Sequence, residues 1–198
     1  MMIIHGVHLL DDKVHHDARG HFIESYQQER LDALIGRPLS FVQDNLSMSH
    51  QGVIRGLHYQ YQHPQAKLVR VLQGEIWDVV VDLRQSSPSF GQWAGYRLAA
   101  PQIEQGTSRA QQLFIPEGCA HGFLTLSASA LVMYKVSDFY HPEDEYCLRY
   151  DDSTLAIQWP LSQASISQAS ISQASIPQPP ILSSKDAQGL SWAQVPKF

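Results

Sequence analysis

Between residues 40 and about 140, apolar and polar positions alternate with a period close to two. This spacing predicts strands over 40–49, 53–60, 67–72, 75–83, 91–98, 112–115, 122–126 and 130–136. The β-branched Val69, Val71, Ile76, Val79, Val80 and Val81 suit a pleated, packed surface. Gly74 marks a tight turn between two of the strands. An opening strand is expected over 3–10. The one clear helical pattern is short, over 25–36. Ser25 is its expected N-cap, Leu31, Leu34 and Ile35 form its apolar face, and Gly36 with Pro38 ends it. Many short strands with turn punctuation and little helix indicate an all-β jelly-roll or sandwich.

One segment breaks the pattern. Residues 162–176 repeat Ser-Gln-Ala-Ser-Ile three times, ahead of Pro177, Pro179 and Pro180. A five-residue repeat matches neither the strand nor the helix period, so no single face collects the isoleucines. The expected organisation is one domain over 1–198 with a low-complexity, linker-like insertion at 162–180. A stacked β-turn structure is the rival, and it would need more copies.

Composition narrows the classes. The 198 residues suffice for one sizeable core, and 43 % hydrophobic with 17 % charged content fits a soluble globular protein. A net charge of −5 argues against nucleic acid or an anionic membrane as partner. Cys119 and Cys147 are too few for a disulfide framework, so both are expected reduced and the protein cytoplasmic. The first residues lack the pattern of a secretory signal, and no apolar run approaches the roughly 18 residues of a membrane span.

Candidate chemistry starts with His58, inside Val-Ile-Arg-Gly-Leu-His-Tyr-Gln at 53–60. A lone strand histidine is more often structural. A second signature, Ile-Pro-Glu-Gly-Cys-Ala-His-Gly-Phe at 115–123, changes that weighting. Its Pro-x-Gly-x-x-His turn resembles half of a cupin site. The other half lacks its second histidine, since Tyr59 and Gln60 follow His58, and Lys67 brings a cation nearby. The expectation is a metal-free pocket. A neutral histidine can take a proton near pH 7, and Asp186 is a candidate carboxylate partner. Lys67 offers charge for an oxyanion and Tyr134 a proton from another direction. Arg19, Arg55 and Lys135 are candidates for phosphate, each with an ordinary surface ion pair as the even alternative. Strict alternation puts Arg55 on the strand face opposite His58 unless the strand is bulged.

Together these motifs resemble the dTDP-4-dehydrorhamnose 3,5-epimerases. The match also takes in Arg-Gly-His-Phe-Ile-Glu-Ser at 19–25, Phe-Val-Gln-Asp-Asn-Leu-Ser at 41–47 and Lys-Leu-Val-Arg-Val at 67–71. It continues through Asp-Val-Val-Val-Asp-Leu-Arg at 78–84, Ser-Pro-Ser-Phe-Gly at 87–91, Tyr-Lys at 134–135, Trp-Pro at 159–160 and Leu-Ser-Ser-Lys-Asp at 182–186. The resemblance implies a cupin-type double-stranded β-helix, a homodimer, no metal or organic cofactor, and a dTDP-4-keto-6-deoxy sugar as substrate. It implies His58 as general base, Asp186 as its partner, Tyr134 as opposing acid and Lys67 as stabiliser of the enolate. Arg19 and Arg55 would meet the diphosphate and sugar, with Phe22, Glu24, Gln43, Asn45, His121 and Tyr140 lining the same pocket. The implied reaction inverts C3 and C5 beside a 4-keto group. A related enzyme inverting only one of these carbons is the alternative.

Overall fold

The computed structural model describes residues 3–103, 108–161 and 179–198. The expected opening strand over 3–10 begins later, with β1 (His8–Asp11), because Gly6 takes a left-handed turn and Ile4 drops into the core. A hairpin of β2 (Val14–Asp17) and β3 (Gly20–Ile23) follows. Then come α1 (Gln28–Ile35), β4 (Gln43–His50), β5 (Ile54–Gln60), β6 (Lys67–Gln73), β7 (Glu75–Asp82) and β8 (Trp93–Ala99). The chain continues with β9 (Gln111–Ile115), β10 (Cys119–Thr125), β11 (Ser129–Val136), β12 (Glu145–Cys147) and α2 (Ser184–Ala187). Two antiparallel five-stranded sheets, ordered β1-β9-β6-β11-β4 and β12-β5-β10-β7-β8, form the jelly-roll. The small hairpin and β12 escape sequence reading because they are short and carry little apolar alternation.

Three apolar clusters explain the strand sequences. Val69, Val71, Leu113, Ile115 and Val132 from the first sheet meet Ile76, Val80, Leu98 and Phe123 from the second, filling the space between them. The outer face of the second sheet is covered as well. There Leu57, Tyr59, Val79 and Val81 pack under Leu148, Ile157, Trp192, Val195 and Phe198. Burial on both faces is why β7 reads Val-Val-Val rather than alternating. On the outer face of the first sheet, Leu31 and Ile35 of α1 cover Leu68 and Phe114.

Helix α1 starts later than Ser25 suggests. Residue Gln27 is the N-cap, its side chain accepting the Arg30 N–H, while Tyr26 turns aside to pack edge-on against Phe41. The C-terminal end is as expected, with Gly36 left-handed and its N–H bonded to the Asp32 carbonyl. The Ser-Gln-Ala-Ser-Ile repeat lies outside the described residues. On its far side the chain returns to the barrel. Ile181 bridges Val53, exchanging backbone bonds of 2.9 and 3.0 Å with Gly52 and Ile54, and Leu190 bridges Leu148.

Candidate active site

A cavity of about 410 Å³ opens between the sheets. The first sheet contributes Gln43, Asn45 and Ser47 of β4, Lys67 of β6 and Tyr134 of β11; the second contributes Arg55 and His58 of β5 with His121 to Phe123 of β10. Along β4 the period of two is kept: Gln43, Asn45 and Ser47 face the cavity, while Asp44, Leu46 and Met48 are exposed.

Strand β5 does not keep that period. His121 pairs with His58, yet Phe123 pairs with Arg55, so two steps on β10 oppose three on β5. The extra residue is a bulge, and it turns Arg55 to the same side as His58. The expectation that Arg55 faces away from His58 is therefore corrected. Glycines make the bulge possible. Gly56 has φ of 104°, and a Cβ there would lie 2.6 Å from the His121 carbonyl; a Cβ on Gly122 would lie 2.5 Å from the Arg55 carbonyl. Arg55 is then held by bonds to Ser49 Oγ at 2.8 Å and the Met48 carbonyl at 3.0 Å.

His58 Nε2 lies 2.6 Å from Asp186 Oδ1. Asp186 is 5 % exposed in the first turn of α2, where Ser183 Oγ caps its N–H and donates to Oδ2 at 2.8 Å. Burial alone would raise the Asp186 pKa, but the bonds from His58 and Ser183 hold it below the usual carboxylate range. The carboxylate is thus an acceptor, and His58 donates Nε2–H to it. The contact survives the intervening repeat because Ile181 and Leu190 anchor the segment on either side of α2.

A second pair lies deeper. His121 Nε2 is 2.8 Å from Asp78 Oδ2, and Asp78 is fully buried on β7. Among the described residues, Asp78 Oδ1 has no hydrogen-bond partner. Lys67 is also buried, its Nζ donating to the His58 carbonyl at 3.2 Å. Burial pushes the Lys67 pKa down to about 8, partly offset by attraction to Asp78 and Cys119. On the same sheet as Lys67, facing the sheet that carries His58, burial raises the Tyr134 pKa against a smaller opposite pull from Arg55, so the phenol stays protonated at neutral pH. A base, a buried cation and a protonated phenol from the facing sheet suit proton transfer next to a carbonyl.

The sequence profile described as dTDP-4-dehydrorhamnose 3,5-epimerase matches residues 1–194. The chain belongs to this family. It is 45 % identical to the dTDP-4-dehydrorhamnose 3,5-epimerase of Pseudomonas aeruginosa over 197 residues, covering 100 % of this chain and 97 % of that one. The crystal structure of dTDP-6-deoxy-D-glucose-3,5-epimerase from Legionella pneumophila, in complex with dTDP-4-keto-L-rhamnose, superposes with a TM-score of 0.83. Identity is 42 %, with 98 % and 92 % of the two chains covered. A 3'-monoepimerase from Streptomyces bikiniensis, in complex with dTDP-quinovose, gives a TM-score of 0.78 at 29 % identity, covering 97 % and 86 %.

As a member of the dTDP-4-dehydrorhamnose 3,5-epimerase family, the chain brings nine of the twelve residues anticipated for the site to one cavity. These are His58, Lys67, Tyr134, Asp186, Arg55, His121, Gln43, Asn45 and Tyr140. Three do not reach it within this chain. Arg19 and Phe22 sit on the β2–β3 hairpin, which pairs only with itself; the Arg19 side chain is 89 % exposed and bonded to Asp17, and Phe22 is 65 % exposed. Glu24 lies at a separate small depression beside Tyr26 and Arg30. Lys135 also points elsewhere, paired with Asp44 at 2.9 Å over the Tyr26 ring. Sequence reasoning missed Glu145, Lys185 and Asp78. Glu145 accepts from Tyr140 Oη at 3.0 Å and from Lys185, and its Oε1 is 3.9 Å from His58 Nδ1. Lys185 adjoins Asp186 in the Leu-Ser-Ser-Lys-Asp motif, which was a usable signal.

Proposed function

We propose that this chain inverts C3 and C5 of dTDP-4-dehydro-6-deoxy-D-glucose, giving dTDP-4-dehydro-L-rhamnose. One observation carries the mechanism: the His58–Asp186 pair and the protonated Tyr134 come from opposite sheets and face one cavity, with Lys67 beside them. His58 Nδ1 takes the proton from the carbon next to the 4-keto group. The electron pair moves into the carbonyl, and Lys67 stabilises the resulting enolate oxygen. Tyr134 returns a proton to the other face, inverting the centre. Imidazolium and phenolate exchange with solvent before the second carbon reacts. Arg55 is placed for the diphosphate or sugar, with Gln43, Asn45, His121 and Tyr140 shaping the pocket.

Tyr134→Phe tests the two-faced scheme. It is expected to wash solvent deuterium into the sugar with configuration retained, because His58 still removes and returns protons on one face. Inversion at the wild-type rate would refute the role of Tyr134. Inversion of one carbon only is the less favoured reading, since the 3,5-epimerases of Pseudomonas aeruginosa and Legionella pneumophila are nearer in sequence than the 3'-monoepimerase.

The working form is a homodimer in this reading. Strand β4 is the edge of its sheet and exposes Leu46 and Met48. A second copy would cover that edge and bring Arg19, Phe22 and Glu24 toward a neighbouring cavity. Sedimentation at twice the chain mass is the expected result, and a monomer at assay concentration would contradict it. Cys119 and Cys147, buried and in no disulfide, suit a reducing cytoplasm, and among the described residues no helix is long and apolar enough to cross a membrane.

A further inference from the structure

Cys147 takes no part in this proton transfer, yet it lies against the residues that do. It faces His58 directly across the β5–β12 ladder, so the two side chains share a face of the sheet. Asp186 Oδ1 is 2.6 Å from His58 Nε2 and 3.7 Å from Cys147 Sγ. Within the described residues, His58, Cys147 and Asp186 form the one group of three whose nitrogen, sulfur and oxygen ligand atoms all lie within 4.8 Å of one another. The cupin half-site read from sequence lacked its second histidine; this group brings a carboxylate and a thiol to the first.

We propose that His58 Nε2, Asp186 Oδ1 and Cys147 Sγ form an inhibitory site for a thiophilic divalent cation of the zinc class. One imidazole, one carboxylate and one thiolate make a borderline-soft set that zinc accepts at about 2.0–2.3 Å per ligand. Tetrahedral bonds of that length need the ligand atoms to shift by only roughly 1 Å. His58 and Asp186 line the cavity, which gives the ion its entry and leaves its fourth position to water.

The cation takes the Nε2 lone pair, so the proton that Nε2 donates to Asp186 moves to Nδ1. The Cys147 thiol gives its proton to solvent, and the carboxylate keeps its charge. One proton leaves per ion bound. His58 remains neutral, but Nδ1, the nitrogen left for the substrate, now carries a proton and accepts no other. The base is disabled without the cavity being filled.

The inhibitory consequence rests on the reading of His58 as base; the binding does not. The full chain is titrated with Cd²⁺ while the ultraviolet thiolate-to-cadmium charge-transfer band is followed, and epimerase activity is measured with Zn²⁺. The wild type is expected to show the band at one equivalent and to lose activity reversibly on Zn²⁺ addition, with recovery on chelation. Cys147→Ala is expected to lose the band, keep basal activity and need at least about tenfold more Zn²⁺ for inhibition. Cys147→Ser, which conserves shape, should also lose the band, and Cys119→Ser should retain it. No band in the folded wild type, a band that follows Cys119, or equal Zn²⁺ sensitivity in Cys147→Ala would overturn the proposal. A chain that binds Cd²⁺ through Cys147 but does not turn over the dTDP sugar would leave the site standing and reject the functional reading instead.

Discussion

The cavity holds two histidine–carboxylate pairs, nearly alike in length and unlike in construction. His121–Asp78 joins neighbouring strands, β10 and β7, and is sealed, with side-chain exposures of 8 % and 0 %. His58–Asp186 joins β5 to a segment 128 residues further on, and the His58 ring remains 27 % exposed to the cavity. His121 reaches the cavity wall, while Asp78 lies wholly beneath it. The pair can hold orientation and charge beneath the cavity, including the field felt by Lys67. The open pair presents the His58 ring to the cavity. Exposure of the histidine, more than the hydrogen bond itself, is what differs between the two pairs.

The comparison breaks most severely at the open pair. His58→Asn is expected to lower turnover roughly 10²–10⁴-fold while dTDP binding, read by calorimetry, stays within about threefold. Lys67→Met should cost about 10²–10³-fold in kcat, since a preorganised charge at the enolate oxygen is removed. Charge on Lys67 is present below its pKa of about 8 and lost above it, so wild-type kcat should fall as pH rises through that value. Asp78→Asn sharpens the contrast. The amide can still accept from His121, but the attraction that raises the Lys67 pKa is gone, so the alkaline limb should move to lower pH. For a fall of about one unit, the charged fraction of Lys67 near pH 7.5 drops roughly threefold, and kcat with it. A profile unmoved by Asp78→Asn would make the sealed pair merely structural. Lys135→Gln, which removes a cation engaged with Asp44 outside the cavity, should change kcat/KM by about twofold or less.

The two pairs also differ in how far they were legible. His58 and His121 stood out because each sits in a motif with glycine at the point where β5 and β10 meet closely. Asp186 was only a candidate partner from its residue type, and the family resemblance gave it the role. No local periodicity links it to His58, and its position depends on backbone bridges at Ile181 and Leu190 that carry no side-chain signature. Asp78 went unnoticed because a lone aspartate inside the predicted 75–83 strand carries no signal of what it faces; its place opposite Phe123 of β10 and its full burial show it beneath the site. Arg55 was placed on the wrong face because the bulge that turns it is a register shift between two strands, visible in neither strand alone. Most strands were legible from alternation and β-branching, whereas the hairpin carrying Arg19 and Phe22 was too short and polar to announce itself.

The central claim is that one base, His58, opens both stereocentres. It is tested most directly by running the reaction in deuterium oxide and reading label at C3 and C5 by nuclear magnetic resonance, for the wild type and His58→Asn side by side. Label at both carbons in the wild type and at neither in the variant is the predicted result. Label confined to one carbon, or continued exchange in His58→Asn, would contradict the account.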